Sequence, residues 1–176
     1  QFQKQKTVLL HGITGSGKTE IYMKLIEEKL AEGKQVLYLL PEIALTSQIV
    51  NRLRKFFGTQ VGVYHSRFNE FERVEIWDRV LNFRKESDKK YSLVLGARSA
   101  LLLPYQNLGL IIVDEEHDGS YKQQDPAPRY HARDCAIILA NIHHGKTLLG
   151  TATPSLESYH NAKQGKFGLV QLMKRY

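Results

Sequence analysis

The segment GITGSGKT, residues 12–19, constrains the fold more than any other stretch of this chain. It follows the apolar run TVLLHG, and the residues after it place apolar side chains at helical spacing. A glycine-rich turn between a buried strand and a helix lets successive backbone N–H groups point at phosphate oxygens, and the helix N-terminus adds its positive end. We therefore predict a strand–loop–helix unit that binds the phosphates of a nucleoside triphosphate.

Each residue of the G-x-x-x-x-G-K-T pattern has a separate expected task. Lys18 should reach the β- and γ-phosphates, and the Thr19 hydroxyl should bind Mg²⁺. A glycine turn formed by chance is the alternative, but it does not account for the strand and helix on either side. The predicted nucleotide-binding residues are Gly12, Thr14, Gly15, Ser16, Gly17, Lys18 and Thr19.

Short apolar runs alternate with amphipathic stretches along the whole chain. The predicted strands are TVLLHG, VLYLLP, VGVYH, YSLVLG, LGLIIVDEEH, TLLGTA and GLVQL. Continuous apolar strands are buried on both faces, which predicts an α/β fold with a mostly parallel sheet and helices on both faces. In such sheets ligands bind at the carboxyl ends of the strands, so the chemistry should lie there.

The bulk composition limits the class of protein. A chain of 176 residues fits one domain, and because it begins with Gln1 we expect it to be a piece of a longer protein. The single cysteine, Cys135, excludes an internal disulfide and a thiol zinc site, and favours a reducing, intracellular setting. No apolar run is long enough for a membrane span. The net charge of +7 favours a polyanionic partner, although a basic surface without a partner is equally compatible.

Acidic residues follow the most apolar strand. Hydrolysis of a nucleoside triphosphate with Mg²⁺ needs one carboxylate for the ion and often a second for the attacking water. We assign Asp114 to the ion and Glu115 to the water. His117 is either a relay to a neighbouring segment or a surface or helix-capping residue.

The strand TLLGTA ends in the segment GTATPS, residues 150–155, which contains two threonines. Thr151 and Thr153 could sense the γ-phosphate from the crevice beside the acids. The alternative is that Thr153 caps a helix whose first residue is Pro154.

An aromatic and basic loop leaves directly from the acids. Tyr121 and Tyr130 could stack on bases, while Lys122, Arg129 and Arg133 could meet phosphates. The alternative is a packed loop with its tyrosines buried. Trp77, on an apolar helical stripe, is predicted to lie in the core.

The order of these segments resembles motifs I, II and III of superfamily 2 helicases: GITGSGKT, DEEH and TAT. PEIALT (41–46) and GARSALLLP (96–104) resemble motifs Ia and Ib, and HSRFNEFER (65–73) resembles the segment between them. The segment DEEHDGSYKQQDPAPRYHARD is similar to one family in particular, the primosomal replication-restart helicases. Leu103 and Thr151 depart from the family pattern, but neither change removes a needed functional group.

The resemblance implies a RecA-like P-loop NTPase lobe, the first of two in a 3′→5′ DNA helicase that uses ATP and Mg²⁺. Its implied catalytic residues are Lys18, Asp114, Glu115 and His117, with Thr151 and Thr153 in coupling. Arg98 could equally be a structural ion-pair partner. The implied DNA contacts are Glu42, Ile43, Thr46, Arg98, Ser99, Tyr121, Lys122, Arg129 and Tyr130.

The resemblance also implies parts and partners that this chain does not contain. The second helicase lobe, its zinc module and an N-terminal DNA-binding domain have no counterpart in residues 1–176. Expected partners are forked or single-stranded DNA, single-strand-binding protein and other primosome proteins, in the cytoplasm of a bacterium and at its nucleoid.

Two other functions compete with the helicase interpretation. A P-loop kinase or small-molecule phosphotransferase would share the phosphate loop, but it gives no reason for the aromatic, basic loop. A regulatory nucleotide-binding module without turnover would have no need of Glu115.

Overall fold

The computed structural model describes residues 1–65, 68–84 and 90–175. The segment HSRFNEFER therefore falls partly outside the described residues, at positions 66 and 67. The strands are β1 (Thr7–Gly12), β2 (Gln35–Leu39), β3 (Val61–Tyr64), β4 (Leu93–Gly96), β5 (Leu108–Asp114), β6 (Lys146–Thr151) and β7 (Gly168–Leu172). The α-helices are α1 (Lys18–Ala31), α2 (Ser47–Phe57), α3 (Glu70–Leu81), α4 (Ala132–Ile142) and α5 (Leu156–Lys163).

All seven strands belong to one sheet in the order β3-β4-β2-β5-β6-β1-β7. Every strand pair in it is parallel. The predicted α/β class with a parallel sheet is confirmed. In this order the ends of β5, β6 and β1 are neighbours, which brings the acidic strand end, the threonines and the phosphate loop to one edge of the sheet.

Two hydrophobic cores cover the two faces of the sheet. Along β5, Ile111 and Val113 belong to one core, and Leu110 and Ile112 to the other. This double burial is the physical reason for the continuous apolar sequence. Helices α3, α4 and α5 contribute to the core that contains Ile111 and Val113, and helices α1 and α2 contribute to the core that contains Leu110 and Ile112.

The start of α5 differs from the sequence prediction. The helix begins at Leu156, and the side chain of Ser155 accepts a hydrogen bond from the backbone N–H of Ser158. Ser155 is therefore the N-cap, and the assignment of that role to Thr153 is wrong. Pro154 precedes the cap and keeps Thr153 outside the helix.

The apolar residues of α3 lie on two faces of the helix. Ile76 and Val80 are buried, whereas Phe71, Val74 and Trp77 are exposed. The prediction that Trp77 is a core residue is wrong, because the residue remains 46% exposed. Apolar residues on both sides of a helix do not reveal by themselves which side packs on the sheet.

The two valines of α3 make a matched test of this arrangement. Val80 is fully buried and Val74 is 66% exposed. Val80→Ala should lower the free energy of unfolding by about 2 kcal/mol, because it opens a cavity in the core. Val74→Ala should change it by less than about 0.5 kcal/mol. Urea denaturation of the two variants compares them directly, and equal losses would contradict the packing of α3.

Candidate nucleotide site and adjoining groove

The phosphate loop connects β1 to α1 in the predicted way. Gly17 is the N-cap of α1 with φ of 86°, a left-handed conformation that a side chain would strain. The Lys18 ammonium lies over the loop and donates to the Gly12 carbonyl at 2.7 Å. Gly12 itself is buried beneath the loop, where an added Cβ would lie 2.7 Å from Ser16 Oγ.

A cleft of about 410 Å³ joins the loop to the acidic strand end. Its lining residues are Thr14, Gly15, Ser16, Gly17, Lys18, Thr19, Glu20, Asp114 and Glu115. Apart from Gly12, every predicted nucleotide-binding residue lies in this cleft together with the two predicted carboxylates. Glu20 is an addition; it also forms an ion pair with Arg52 of α2 at 2.8 Å.

Two buried tyrosines hold the Asp114 carboxylate. The Tyr22 hydroxyl donates to Oδ1 at 2.9 Å, and the Tyr38 hydroxyl donates to Oδ2 at 3.0 Å. Burial raises the pKa of Asp114, and the two hydrogen bonds oppose that rise. Burial and the Asp114 charge also raise the pKa of both tyrosines well above the ordinary value, so both remain donors at neutral pH. The backbone N–H of Glu115 also donates to Oδ1 at 3.1 Å, so the orientation of Asp114 is fixed by one local group and by two hydroxyls from other elements.

Gly150 of β6 provides the space for this contact. It lies beside Asp114 in the sheet register. A Cβ at position 150 would lie 1.7 Å from the Tyr22 hydroxyl oxygen, so a side chain there would exclude the phenol. Position 150 must therefore be glycine, because the Tyr22 phenol approaches the backbone of β6 too closely for a side chain.

Asp114 and Thr19 fit a magnesium site. Both line the same cleft and offer oxygen ligands, which Mg²⁺ prefers. A Mg²⁺ ion that shares the cleft with a nucleotide would take further ligands from phosphates and water.

Glu115 turns away from Asp114 as the chain leaves β5. Its φ of 47° is unusual for a residue with a side chain and gives the two neighbouring carboxylates different directions. Glu115 Oε2 lies 3.7 Å from His117 Nδ1.

His117 connects the acidic turn to the end of β6. Its Nδ1 is 2.8 Å from Thr151 Oγ1, and its Nε2 is 3.3 Å from Thr153 Oγ1. Thr151 Oγ1 also accepts the backbone N–H of Thr153 at 3.0 Å. His117 thus contacts the neighbouring segment at the end of β6 and is not the cap of a described helix, while its role as a relay stays a prediction.

A second cleft, of about 380 Å³, is lined in part by the loop that follows the acidic turn. It brings together three segments that are distant in the sequence, and we call it the groove. Its lining residues are Glu42, Ala97, Arg98, Ser99, Gly119, Ser120, Lys122, Gln123 and Gln124. Arg98 donates to the carbonyl oxygens of Ser120 and Lys122 at 3.1 and 3.0 Å, so it holds the loop by backbone hydrogen bonds; within the described part of the chain it has no ion-pair partner. Ile43 and Thr46 are exposed but do not line the groove.

The aromatic, basic loop is folded back on itself. Lys122 and His131 form an antiparallel bridge, and the backbone N–H of Gln123 donates to the Tyr130 carbonyl. Arg129 is exposed at the tip, and Tyr130 is half-buried.

Two side chains of this loop do not have the predicted exposure. Tyr121 is 1% exposed, and its hydroxyl donates to the Asp114 carbonyl at 2.6 Å, so in this conformation its ring has no open face for a base. Arg133 is 8% exposed and pairs with Glu116 at 3.2 Å, so it does not face a DNA phosphate. The packed-loop alternative therefore describes Tyr121 correctly and Tyr130 only in part.

A family model of DEAD/DEAH box helicases matches residues 1–162. The chain belongs to the DEAD/DEAH box helicase family. Helicase membership also decides against the phosphotransferase alternative, and it makes this lobe an ATP-binding one.

Relatives in this helicase family are close in sequence. The chain is 50% identical to the replication restart protein PriA of Bacillus subtilis over 98% of its own length and 20% of that protein. It is 51% identical to PriA of Haemophilus influenzae over 95% of its own length and 22% of that protein. The chain thus spans about a fifth of these bacterial relatives.

Two solved helicase structures share the fold. The Pyrococcus furiosus Hef helicase domain superimposes with a TM-score of 0.66 at 18% identity, over 98% of this chain and 36% of that one. The DUF1998 helicase MrfA, solved bound to DNA, gives 0.63 at 17% identity, over 99% of this chain and 24% of that one. Among the described residues, no helix has the length and apolar character that crossing a membrane requires.

Replacing Tyr22 tests the support of Asp114. Tyr22→Phe removes one donor from the carboxylate, so the Mg²⁺ concentration for half-maximal binding of a fluorescent ATP analogue should rise about tenfold. Tyr105→Phe is the matched control, because Tyr105 is also buried but donates to the Ala100 carbonyl, outside the cleft. Identical Mg²⁺ titrations for the two variants would show that Tyr22 does not support the metal ligand.

Proposed function

We propose that this chain is the first, ATP-binding lobe of a bacterial replication-restart helicase that moves 3′→5′ along single-stranded DNA. The observation that carries the proposal is the position of Asp114 between two clefts. Its carboxylate lines the nucleotide cleft, while its carbonyl accepts the hydroxyl of Tyr121 from the loop that lines the groove. A change at either cleft can therefore reach the other through one residue.

The residues of the nucleotide cleft have distinct tasks in this proposal. Lys18 neutralises the phosphates, and Thr19 and Asp114 hold Mg²⁺. The bound ion would neutralise charge on the phosphate oxygens. Glu115 orients or deprotonates the attacking water, and His117 passes the state of the site to Thr151 and Thr153.

The groove and the loop tip form the proposed DNA track. Main-chain groups of residues 42–46, with Arg98 and Ser99, contact the backbone of the strand, a kind of contact that positions DNA without sequence readout. Lys122 and Arg129 add positive charge, and Tyr130 offers a partly exposed ring for base stacking. The net charge of +7 supports a polyanionic partner. Tyr121 is not included among these contacts, because its role is to join the loop to Asp114.

The remaining parts of the proposal rest on the resemblance to the replication-restart helicases. A second lobe would close the nucleotide cleft and complete the DNA track, and a zinc module and an N-terminal DNA-binding domain would lie elsewhere in the longer parent protein. Single-strand-binding protein and other primosome proteins are the proposed partners, at forked DNA in the bacterial cytoplasm and nucleoid.

Lys18→Ala should abolish ATP hydrolysis by the parent protein, because the phosphates lose their main counter-charge. The control is Lys24→Ala, an exposed lysine on the same helix that does not line the nucleotide cleft. Steady-state hydrolysis assays compare the two. Turnover near that of the wild type in Lys18→Ala would remove the assignment of the phosphate site.

Tyr130→Ala should weaken the stimulation of ATP hydrolysis by DNA, by about tenfold for the loss of one stacking contact. Forked DNA with a single-stranded arm is the substrate, and the rate is followed against DNA concentration. Lys166→Ala serves as the control. This exposed lysine lies in the turn before β7, at the amino ends of the strands, whereas the proposed site lies at their carboxyl ends. If Tyr130→Ala kept full stimulation, the loop would be a packing element only.

The same assay tests the DNA dependence of the proposed function. Hydrolysis that rises with forked DNA supports the helicase lobe. Hydrolysis that ignores DNA would overturn the proposal.

A further inference from the structure

Glu116 is a charged side chain that the proposed mechanism does not use, and it is completely buried. Its carboxylate accepts four hydrogen bonds. Oε1 accepts the backbone N–H of Ser155 at 2.7 Å. Oε2 accepts the Ser155 hydroxyl at 3.0 Å, the Ser158 hydroxyl at 2.8 Å and the Arg133 guanidinium at 3.2 Å. The end of β5 is thereby joined to the first residues of both α4 and α5.

Arg133 supplies the counter-charge that a buried carboxylate needs. Burial opposes the charge on Arg133, but hydrogen bonds and charges of Asp134 and Glu116 raise its pKa overall. Arg133 also donates to the Ser155 hydroxyl at 2.7 Å. Glu116, Arg133 and Ser155 thus contact one another in a closed triangle.

Two neighbouring residues of the acidic turn hold the two ends of one short segment. His117 contacts Thr151 and Thr153, and Glu116 contacts Ser155. The position of Thr153 relative to His117 therefore depends on where Glu116 places Ser155. Since Thr153 is exposed and its distance to His117 is 3.3 Å, a small movement of Ser155 is enough to break that contact.

The ion pair of Glu116 with Arg133 also holds one end of the loop that lines the groove. The loop starts after His117, where Tyr121 binds the Asp114 carbonyl, and it ends at Arg133, which binds Glu116. Both ends of the loop are therefore anchored in the acidic turn, one on Asp114 and one on Glu116.

We propose that Glu116 is a positioning residue. Through Arg133 it connects the far end of this loop to the segment 151–155, and it thereby sets the contact of His117 with Thr151 and Thr153. Loop movement then reaches these threonines by a connection separate from the one between Tyr121 and Asp114. The inference rests on the proposed function for its consequence, but the contacts themselves belong to this chain alone.

General stabilisation of the fold does not by itself explain this arrangement. Replacing a buried ion pair by apolar residues of similar size is often neutral or stabilising, whereas removal of one partner leaves an unpaired charge. A matched pair of changes therefore separates positioning from stability. Glu116→Met with Arg133→Met removes both charges, while Glu116→Gln keeps the size of the side chain and removes only one.

The first experiment follows the His117 imidazole in the 176-residue chain by nitrogen-detected NMR, with His117→Gln to assign its signals among the seven histidines. Glu116→Gln and the double Met variant should both shift the His117 signals, because Ser155 has lost its carboxylate partner. Asp134→Asn is the control. It removes another carboxylate that binds Arg133, at 2.9 Å, but Asp134 is exposed and does not contact Ser155. Its His117 signals should match the wild type.

The second experiment measures DNA-stimulated ATP hydrolysis, nucleotide affinity and melting temperature of the same variants in the parent protein. Glu116→Gln and the double Met variant should lower the stimulated rate about tenfold, a factor that corresponds to a typical coupling free energy between two sites. Their affinity for nucleotide should not change, because no residue of the cleft is altered. The double variant should regain the melting temperature that Glu116→Gln loses, without regaining the stimulated rate.

The outcomes separate this inference from the proposed function. Unchanged His117 signals in Glu116→Gln, or a stimulated rate that returns together with the melting temperature in the double variant, would overturn the positioning role. A wild-type protein without any stimulation by DNA would instead overturn the proposed function, and the NMR result would still decide whether Glu116 positions His117.

Discussion

A carboxylate buried at the end of the central strand needs hydrogen-bond donors from several directions, and much of this molecule is arranged around that need. Asp114 receives Tyr22 from the helix after the phosphate loop, Tyr38 from the neighbouring strand β2, and Tyr121, on its carbonyl, from the loop beside the groove. Each donor lies on a different element, so the position of Asp114 depends on the sheet, α1 and the loop together. Burial raises the pKa of Asp114, and the hydrogen bonds from Tyr22 and Tyr38 oppose that rise because they favour the charged carboxylate.

The same turn contains a second buried carboxylate with a different set of partners. Glu116 is satisfied by Arg133 and two serines, none of which lines the nucleotide cleft. Between these two acids lies Glu115, whose unusual backbone conformation turns its side chain into the cleft. Three consecutive acids therefore have three environments: one bound by phenols, one open to the cleft and one neutralised by an arginine. Sequence adjacency places them together, and the partners from other elements give them separate roles.

The difference between local spacing and contacts from distant elements explains how far sequence alone could predict the structure. The phosphate loop, the parallel sheet and the acids at the end of β5 were predictable, because local spacing and the length of apolar runs determine them. Tyr22 and Tyr38 were predicted only as helix and strand residues, since their contacts with Asp114 cross 92 and 76 positions. Tyr121 and Arg133 have the composition of DNA contacts, yet they pack inward. They are buried because the Asp114 carbonyl and the Glu116 carboxylate accept their hydrogen bonds. No local pattern in the loop sequence predicts these acceptors.

Gly150 and Tyr22 illustrate a consequence for sequence variation. The phenol of Tyr22 occupies the space that any side chain at position 150 would need, although the two residues belong to different motifs and neither reacts with nucleotide. A larger residue at position 150 is compatible only with a smaller one at position 22, and that smaller residue would remove one of the two hydroxyl donors of the Asp114 carboxylate. A side chain at position 150 therefore requires a change at position 22, and a constraint of volume, rather than of reactivity, links the helix after the phosphate loop to the strand that carries the threonines.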